Sequence, residues 1–305
     1  MARTSRHRRV DGILLLDKPA GESSNRALQR VKRLYRAAKA GHTGSLDPLA
    51  TGMLPICLGE ATKVSGYLLD ADKEYLARCR LGVATDTGDA DGQVTVEKPL
   101  PDDLAREQVE ACMQPLRGEI EQVPPMYSAL KHQGERLYRL ARRGEVVERK
   151  PRTVTVHGLE LVELGAQELA LRIRCSKGTY IRTLVEELGR CLQCGAHVTS
   201  LRRTGLGPFH GAAMTTLEDL QDRAANGGFA ALDALLLPAE TALEGWPAVR
   251  LPADAAHYLL QGQPVWVPRA PDAGWVTVFG PDRFIGVGEI LDDGRVAPRR
   301  LLRGA

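Results

Sequence analysis

The chain has 305 residues, 43% of them hydrophobic, enough to bury a substantial core and, by length, to form about two domains. No run of about 18 apolar residues is present and the arginine-rich start lacks an apolar signal stretch, which excludes a transmembrane helix and a secretory leader and gives the expectation of a cytoplasmic protein. The net charge of +3 hides an uneven distribution: residues 1–39 hold eleven Lys and Arg against three Asp and Glu, a net +8, and the remainder is −5. Such a basic end fits a polyanion partner and, equally, a solvated charged helix.

After a basic tail, GILLLDKPAG reads as a buried strand running into a turn. Ser23 or Ser24 then caps an amphipathic basic helix that turns Leu28, Val31 and Tyr35 inward. GHTGSLDPLATG, with its glycines and Asp-Pro step, reads as a loop, MLPICLG as a short strand, and Ala61 to Leu69 as a helix. EYLARCRLGVAT is a strand, and TDTGDADGQV a polar turn. Residues 102–113 fit a helix, and GERLYRLARRG sets Leu137, Leu140 and Ala141 opposite Arg136, Arg139 and Arg143. TVTVHGLELVEL and ELALRIRCSKG alternate like antiparallel strands, TYIRTLVEELGRCL turns helical, and HVTSLRRTGLGPF is extended. Prolines and glycine cluster between 238 and 252, and PVWVP, GWVTVFG and RFIGVGEIL follow as closely spaced strands.

The expected fold class is α+β: a catalytic domain with a mixed, largely antiparallel sheet over 11–245, preceded by a basic tail (1–10) and followed by a small β-rich domain (246–305). The six cysteines are scattered through a long chain, so reduced thiols are expected. Cys191, Cys194 and His197 have metal-ligand spacing, but no second ligand pair follows, and no metal is expected. Walker, Rossmann and Ser-His-Asp patterns are absent, so no cofactor is expected.

Asp47 lies in a glycine-bounded loop between hydrophobic segments. By local pattern an Asp before a Pro is far more often a turn initiator, bonding local backbone N–H groups, than a catalytic group. The longer segment GHTGSLDPLATGMLPICLGEATK resembles the aspartate motif of the bacterial TruB pseudouridine synthase family. DGILLLDKPAGESS, DKEYLARCRLGVATDTGDADG, CSKGTYIRTLVEELG and GAHVTSLRRTGLGPF extend the likeness over most of 11–210, and the terminal β-rich segment is similar, more loosely, to a PUA domain.

The resemblance implies that uridine 55 in the T loop of tRNA is flipped out, detached at N1 and rejoined through C5, with Asp47 attacking C1′ or removing the 2′ proton. It implies that Arg182 pairs with that carboxylate and that Tyr75 stacks on the uracil, with its hydroxyl placed for proton transfer at C5. His42 would fill the space left by the flipped nucleotide, Tyr180 and Leu201 would line the pocket, and Lys18 would buttress it. Asp89 would hydrogen-bond the uracil or order its own loop. The implied partner is the T stem-loop of tRNA, with no membrane, no obligatory protein partner and a monomeric state. A guide-dependent synthase of the dyskerin type and an RNA-binding or folding factor without catalysis are the alternatives. A carboxylate glycosidase would want paired acids and aromatic rings, and only 5% of residues are aromatic.

Overall fold

The computed structural model describes residues 7–101 and 104–302, so residues 1–6 of the basic tail and 102–103 of the expected 102–113 helix lie outside it. In chain order the strands are β1 (Gly12–Lys18), β2 (Ala40–His42), β3 (Thr51–Leu58), β4 (Lys73–Leu81), β5 (Val83–Thr85), β6 (Val94–Glu97), β7 (Gly118–Gln122), β8 (Lys131–His132), β9 (Glu135–Arg136), β10 (Arg152–Leu164), β11 (Glu168–Cys175), β12 (Ala196–Leu206), β13 (Phe209–His210), β14 (Ala248–Arg250), β15 (Gly274–Phe279), β16 (Phe284–Ile290) and β17 (Val296–Leu301). The α-helices are α1 (Ser24–Leu34), α2 (Ser65–Asp70), α3 (Arg106–Met113), α4 (Leu137–Arg142), α5 (Ile181–Cys191), α6 (Leu217–Asp233) and α7 (Ala253–Leu260). The elements form two units: one takes the chain up to Asp47, Met53–Leu69 and the chain from Gly207 onward, the other Pro48–Gly52 and Asp70–Leu206.

In the first unit β1 buries Ile13, Leu14, Leu15 and Leu16, as a strand covered on both faces should. Ser23 caps α1, its side chain accepting from the Arg26 N–H, and Ala27, Leu28 and Val31 face inward along one stripe. Tyr35 follows at the cap, fully buried, its hydroxyl donating to Leu232 O at 2.7 Å. The expected loop from Gly41 is shorter than its sequence suggests: Gly41 and His42 extend β2, which pairs with β3, and Thr51 already opens β3. The expected helix from Ala61 to Leu69 divides into a 3-10 turn, Gly59–Lys63, and α2. Ser65 Oγ donates back to Thr62 O at 2.8 Å, taking a carbonyl the continuous helix would have used.

The same unit holds a four-stranded sheet in the order β14-β15-β16-β17, parallel at its first pair and antiparallel beyond, over a core that includes Val249, Leu259, Val276, Val278, Ile285 and Val296. GWVTVFG and RFIGVGEIL form β15 and β16, but PVWVP is not a strand. Its two prolines lack N–H donors, and Val265 alone bridges to Val296. β17 and the helices α6 and α7 are additions to the expected elements. The Gly227-Gly228 pair within α6 argues against a helix, and Gly228 indeed breaks it with φ 60° and ψ −147°.

The second unit is a sheet ordered β12-β4-β11-β10-β7 with antiparallel neighbours. The alternating burial of β4 puts Lys73, Tyr75, Ala77, Cys79 and Leu81 on its buried face. Across it, Ile173 of β11 stands opposite Tyr75 and Leu171 opposite Ala77. Helix α3 begins at Arg106, where the Gln108 side chain accepts from the Ala105 N–H at 2.8 Å. The thiols correct the sequence expectation: Cys112 and Cys191 form a disulfide, because α3 and α5 bring their Cα atoms to 5.7 Å, within bridging range. Cys57, Cys79, Cys175 and Cys194 are free and buried.

Candidate active site

Asp47 is half-buried in the irregular segment between β2 and β3. The residue before it is clamped: Ser24 Oγ accepts from the Leu46 N–H at 2.7 Å and donates to Leu46 O at 3.1 Å. Ser24, in the first turn of α1, therefore fixes both backbone groups of Leu46 in a buried setting. His42, four residues before Leu46, is half-buried in β2 opposite Ile56. Lys18 ends β1 fully buried, and its Nζ donates to Pro19 O and Glu22 O, both at 2.7 Å. It braces the turn into α1.

Pro48–Gly52 belong to the second unit, where Thr51 and Gly52 pair in parallel with Arg202 and Arg203 of β12. Gly52 has φ +95°, and a Cβ there would lie 2.3 Å from Arg203 O, so glycine is demanded by both backbone conformation and space. Arg203 in turn stands opposite Tyr75 on β4, and Leu201 opposite Ala77. Gly52, Arg203, Tyr75 and Ile173 thus form one row across four strands. Tyr75 and Leu201 are both buried, on one face and in adjacent rows.

Arg182 is the second residue of α5 and 5% exposed. Its guanidinium donates to Thr87 O and Tyr127 O, each at 2.7 Å, and lies 3.4 Å from Asp89 Oδ2. Asp89 is itself buried, with Oδ1 accepting from Thr87 Oγ1 at 2.6 Å and from the Asp91 N–H at 3.2 Å. Between its two oxygens Asp89 organises the 86–92 turn and joins it to Arg182. Nearby Glu186 has its carboxyl pushed above its ordinary range by burial, against the opposing pull of Arg182. Tyr180 caps α5, and its N–H and carbonyl are held by the Gln122 amide at 3.0 and 3.3 Å.

The structure thus joins Arg182 to Asp89 and sets Tyr75 beside Leu201, while Asp47, His42 and Lys18 belong to the first unit. Sequence reasoning passed over Arg203 and Lys73. Only the strand register reveals them, because in LRRTG two adjacent arginines look alike until one is turned inward. The Cys191, Cys194 and His197 spacing dissolves on folding: Cys191 is in the disulfide and His197 Nδ1 lies 2.8 Å from Val83 O. Among the described residues no group of three or more His, Cys, Asp or Glu is placed to hold a metal ion, and no helix is long and apolar enough to cross a membrane.

Residues 32–181 match the family described as TruB family pseudouridylate synthase (N terminal domain), 182–244 the tRNA pseudouridylate synthase B C-terminal domain, and 247–302 the pseudouridine synthase II TruB C-terminal domain. The chain is 58% identical to the tRNA pseudouridine synthase B of Nitrosococcus oceani, over 96% of this chain and 95% of the relative. It is 55% identical to that of Pseudomonas aeruginosa, over 99% and 100%. Among solved structures it resembles a chain of a Cbf5-Nop10-Gar1 complex, with a TM-score of 0.74 and 27% identity over 96% of this chain and 85% of that one. A chain of an H/ACA RNP bound to a substrate RNA containing 2′-deoxyuridine gives 0.73 and 25%, over 96% and 85%. These matches define an enzyme of the pseudouridine synthase class. Within that class the chain belongs to the TruB family.

Proposed function

We propose that this enzyme isomerises the uridine at position 55 in the T loop of tRNA, with Asp47 as the carboxylate that acts on the ribose. The observation that carries the proposal is the fixation of the backbone next to Asp47 by Ser24, which holds both the N–H and the carbonyl of Leu46. Reactive carboxylates need such pre-set positions, because an error of 1 Å costs about a hundredfold in rate.

In this reading Tyr75 stacks on the extruded uracil and its hydroxyl serves proton transfer at C5. Arg182 is the cation paired with the carboxylate, and Leu201, Tyr180 and His42 shape the space the nucleotide enters. Lys18 braces the turn and Asp89 the 86–92 loop. The four-stranded sheet near the C-terminus and its helix α7 serve RNA binding, where exposed Trp266 and Tyr258 offer flat surfaces for bases. The enzyme works as a cytoplasmic monomer, without cofactor or obligatory protein partner.

The guide-dependent alternative draws on the likeness to H/ACA proteins, at 25–27% identity. The 55–58% identity to proteins named tRNA pseudouridine synthase B, over nearly the full length of both, favours the stand-alone reading. The test is purified protein alone on an unmodified tRNA transcript and on the same transcript with the T-loop uridine replaced by cytidine. Pseudouridine in the first and none in the second is expected. Activity that appears only on adding a guide RNA would replace this reading by the guide-dependent one.

A further inference from the structure

The row Gly52, Arg203, Tyr75, Ile173 carries an electrostatic feature that the roles given above leave unused. Residues directly opposite in an antiparallel pair project from the same face, with Cβ atoms about 4.5–5.5 Å apart, so Arg203 flanks Tyr75 from β12. Lys73, two residues before Tyr75, shares that face from the same strand. Both cations are buried, Arg203 to 1% exposure and Lys73 to 7%.

Burying one cation costs several kcal/mol before compensation, and placing two in one neighbourhood adds mutual repulsion. Lys73 registers this. Burial pushes its ammonium down to about 8, and Arg203 pushes it the same way, against the opposing pull of Cys175 on β11 and of Asp70 and Asp72 in the chain ahead of β4. Its Nζ also donates to Ala71 O at 2.5 Å.

We propose that Arg203, with Lys73 beside it, is a positioning residue that holds the Tyr75 phenol in a cationic field and so makes its oxygen competent to take the proton from C5 of the base. The inference rests on the proton-transfer role assigned to Tyr75. Once the C1′–C5 bond has formed, the C5–H bond breaks and its electrons return to the ring. The phenol oxygen takes that proton as its own passes to water, and N1 takes one proton from water, so one is lost and one gained. A nearby cation favours the ionised form of an acid, and a base works best when its proton affinity lies near the operating pH.

The test is a double-mutant cycle on Tyr75→Phe and Arg203→Met, using tRNA transcript tritiated at C5 of uridine. Single-turnover tritium release, tRNA affinity by filter binding and thermal melting are read together. Arg203→Met is expected to slow release about tenfold or more while affinity stays within about threefold, and to slow it less than about twofold when Tyr75 is already Phe. Arg203→Lys should recover part of the rate. The wild-type rate should decline as pH rises through about 8, where Lys73 loses its charge, and Lys73→Met should abolish that limb.

Equal slowing in both backgrounds, or loss of rate and affinity together with melting and no recovery by Lys, would make Arg203 structural and overturn the inference. Tyr75→Phe releasing tritium at the wild-type rate would instead overturn the role of Tyr75 itself.

Discussion

Replacing Gly52 with Ala strains the pairing of Thr51 and Gly52 with β12. The added Cβ would sit 2.3 Å from Arg203 O and 3.0 Å from Arg203 N, where ordinary contact begins at 3.4 Å, so two paired backbones must part by about 1 Å. No flexible side chain can yield instead, since both atoms belong to the main chain of β12. Holding a non-glycine residue at positive φ adds about 1–2 kcal/mol, and overpacking of this kind about 1–3, for a total of about 2–5 kcal/mol. Because β12 also carries Arg203 opposite Tyr75, the shift is transmitted to the site: a displacement of 1 Å corresponds to about a hundredfold in rate. Urea denaturation and single-turnover pseudouridine formation measure the two effects. The reasoning is refuted if Gly52→Ala unfolds at the wild-type midpoint and turns over at the wild-type rate.

Ser24→Ala removes both contacts to the Leu46 backbone and should cost about 1–3 kcal/mol by denaturation, with activity lost while the protein is still folded. Arg182→Met leaves Asp89 as a buried carboxylate without its cation and should cost about 3–5 kcal/mol, a loss that Asp89→Asn in the same chain should partly relieve. Glu186→Gln is expected to stabilise at pH 7. The native carboxyl is raised above its unfolded value, so its penalty is full above the folded pKa and disappears as pH falls below 4.5; melting temperatures across that range check the sign. Cys112→Ser should lower stability by about 2–4 kcal/mol in oxidising buffer and not at all under strong reductant, as the bridge closes a separation of 79 residues.

The strand and helix identities were largely legible because they depend on local periodicity. The β4 alternation and the stripe of α1 could be read directly, and the resemblance led to Asp47, Tyr75 and Arg182. What could not be read depends on register and distance. Arg203 and Lys73 are placed on the face of Tyr75 only once β12 and β4 are aligned, and Gly52 is explained only by the backbone beside it. The Cys112–Cys191 bridge joins segments that no local pattern connects. Helix α6 was hidden by glycines that signal a break, and the break occurs inside the helix rather than ending it.

The most direct test of the central claim compares wild-type and Asp47→Asn proteins on unmodified tRNA transcript, with pseudouridine mapped by carbodiimide primer extension. A single T-loop stop with the wild type, and none with Asp47→Asn although it still binds the transcript, is the predicted result. A T-loop stop of equal strength from the folded Asp47→Asn protein would contradict the assignment of the carboxylate, and a wild-type stop elsewhere in the tRNA would contradict the target.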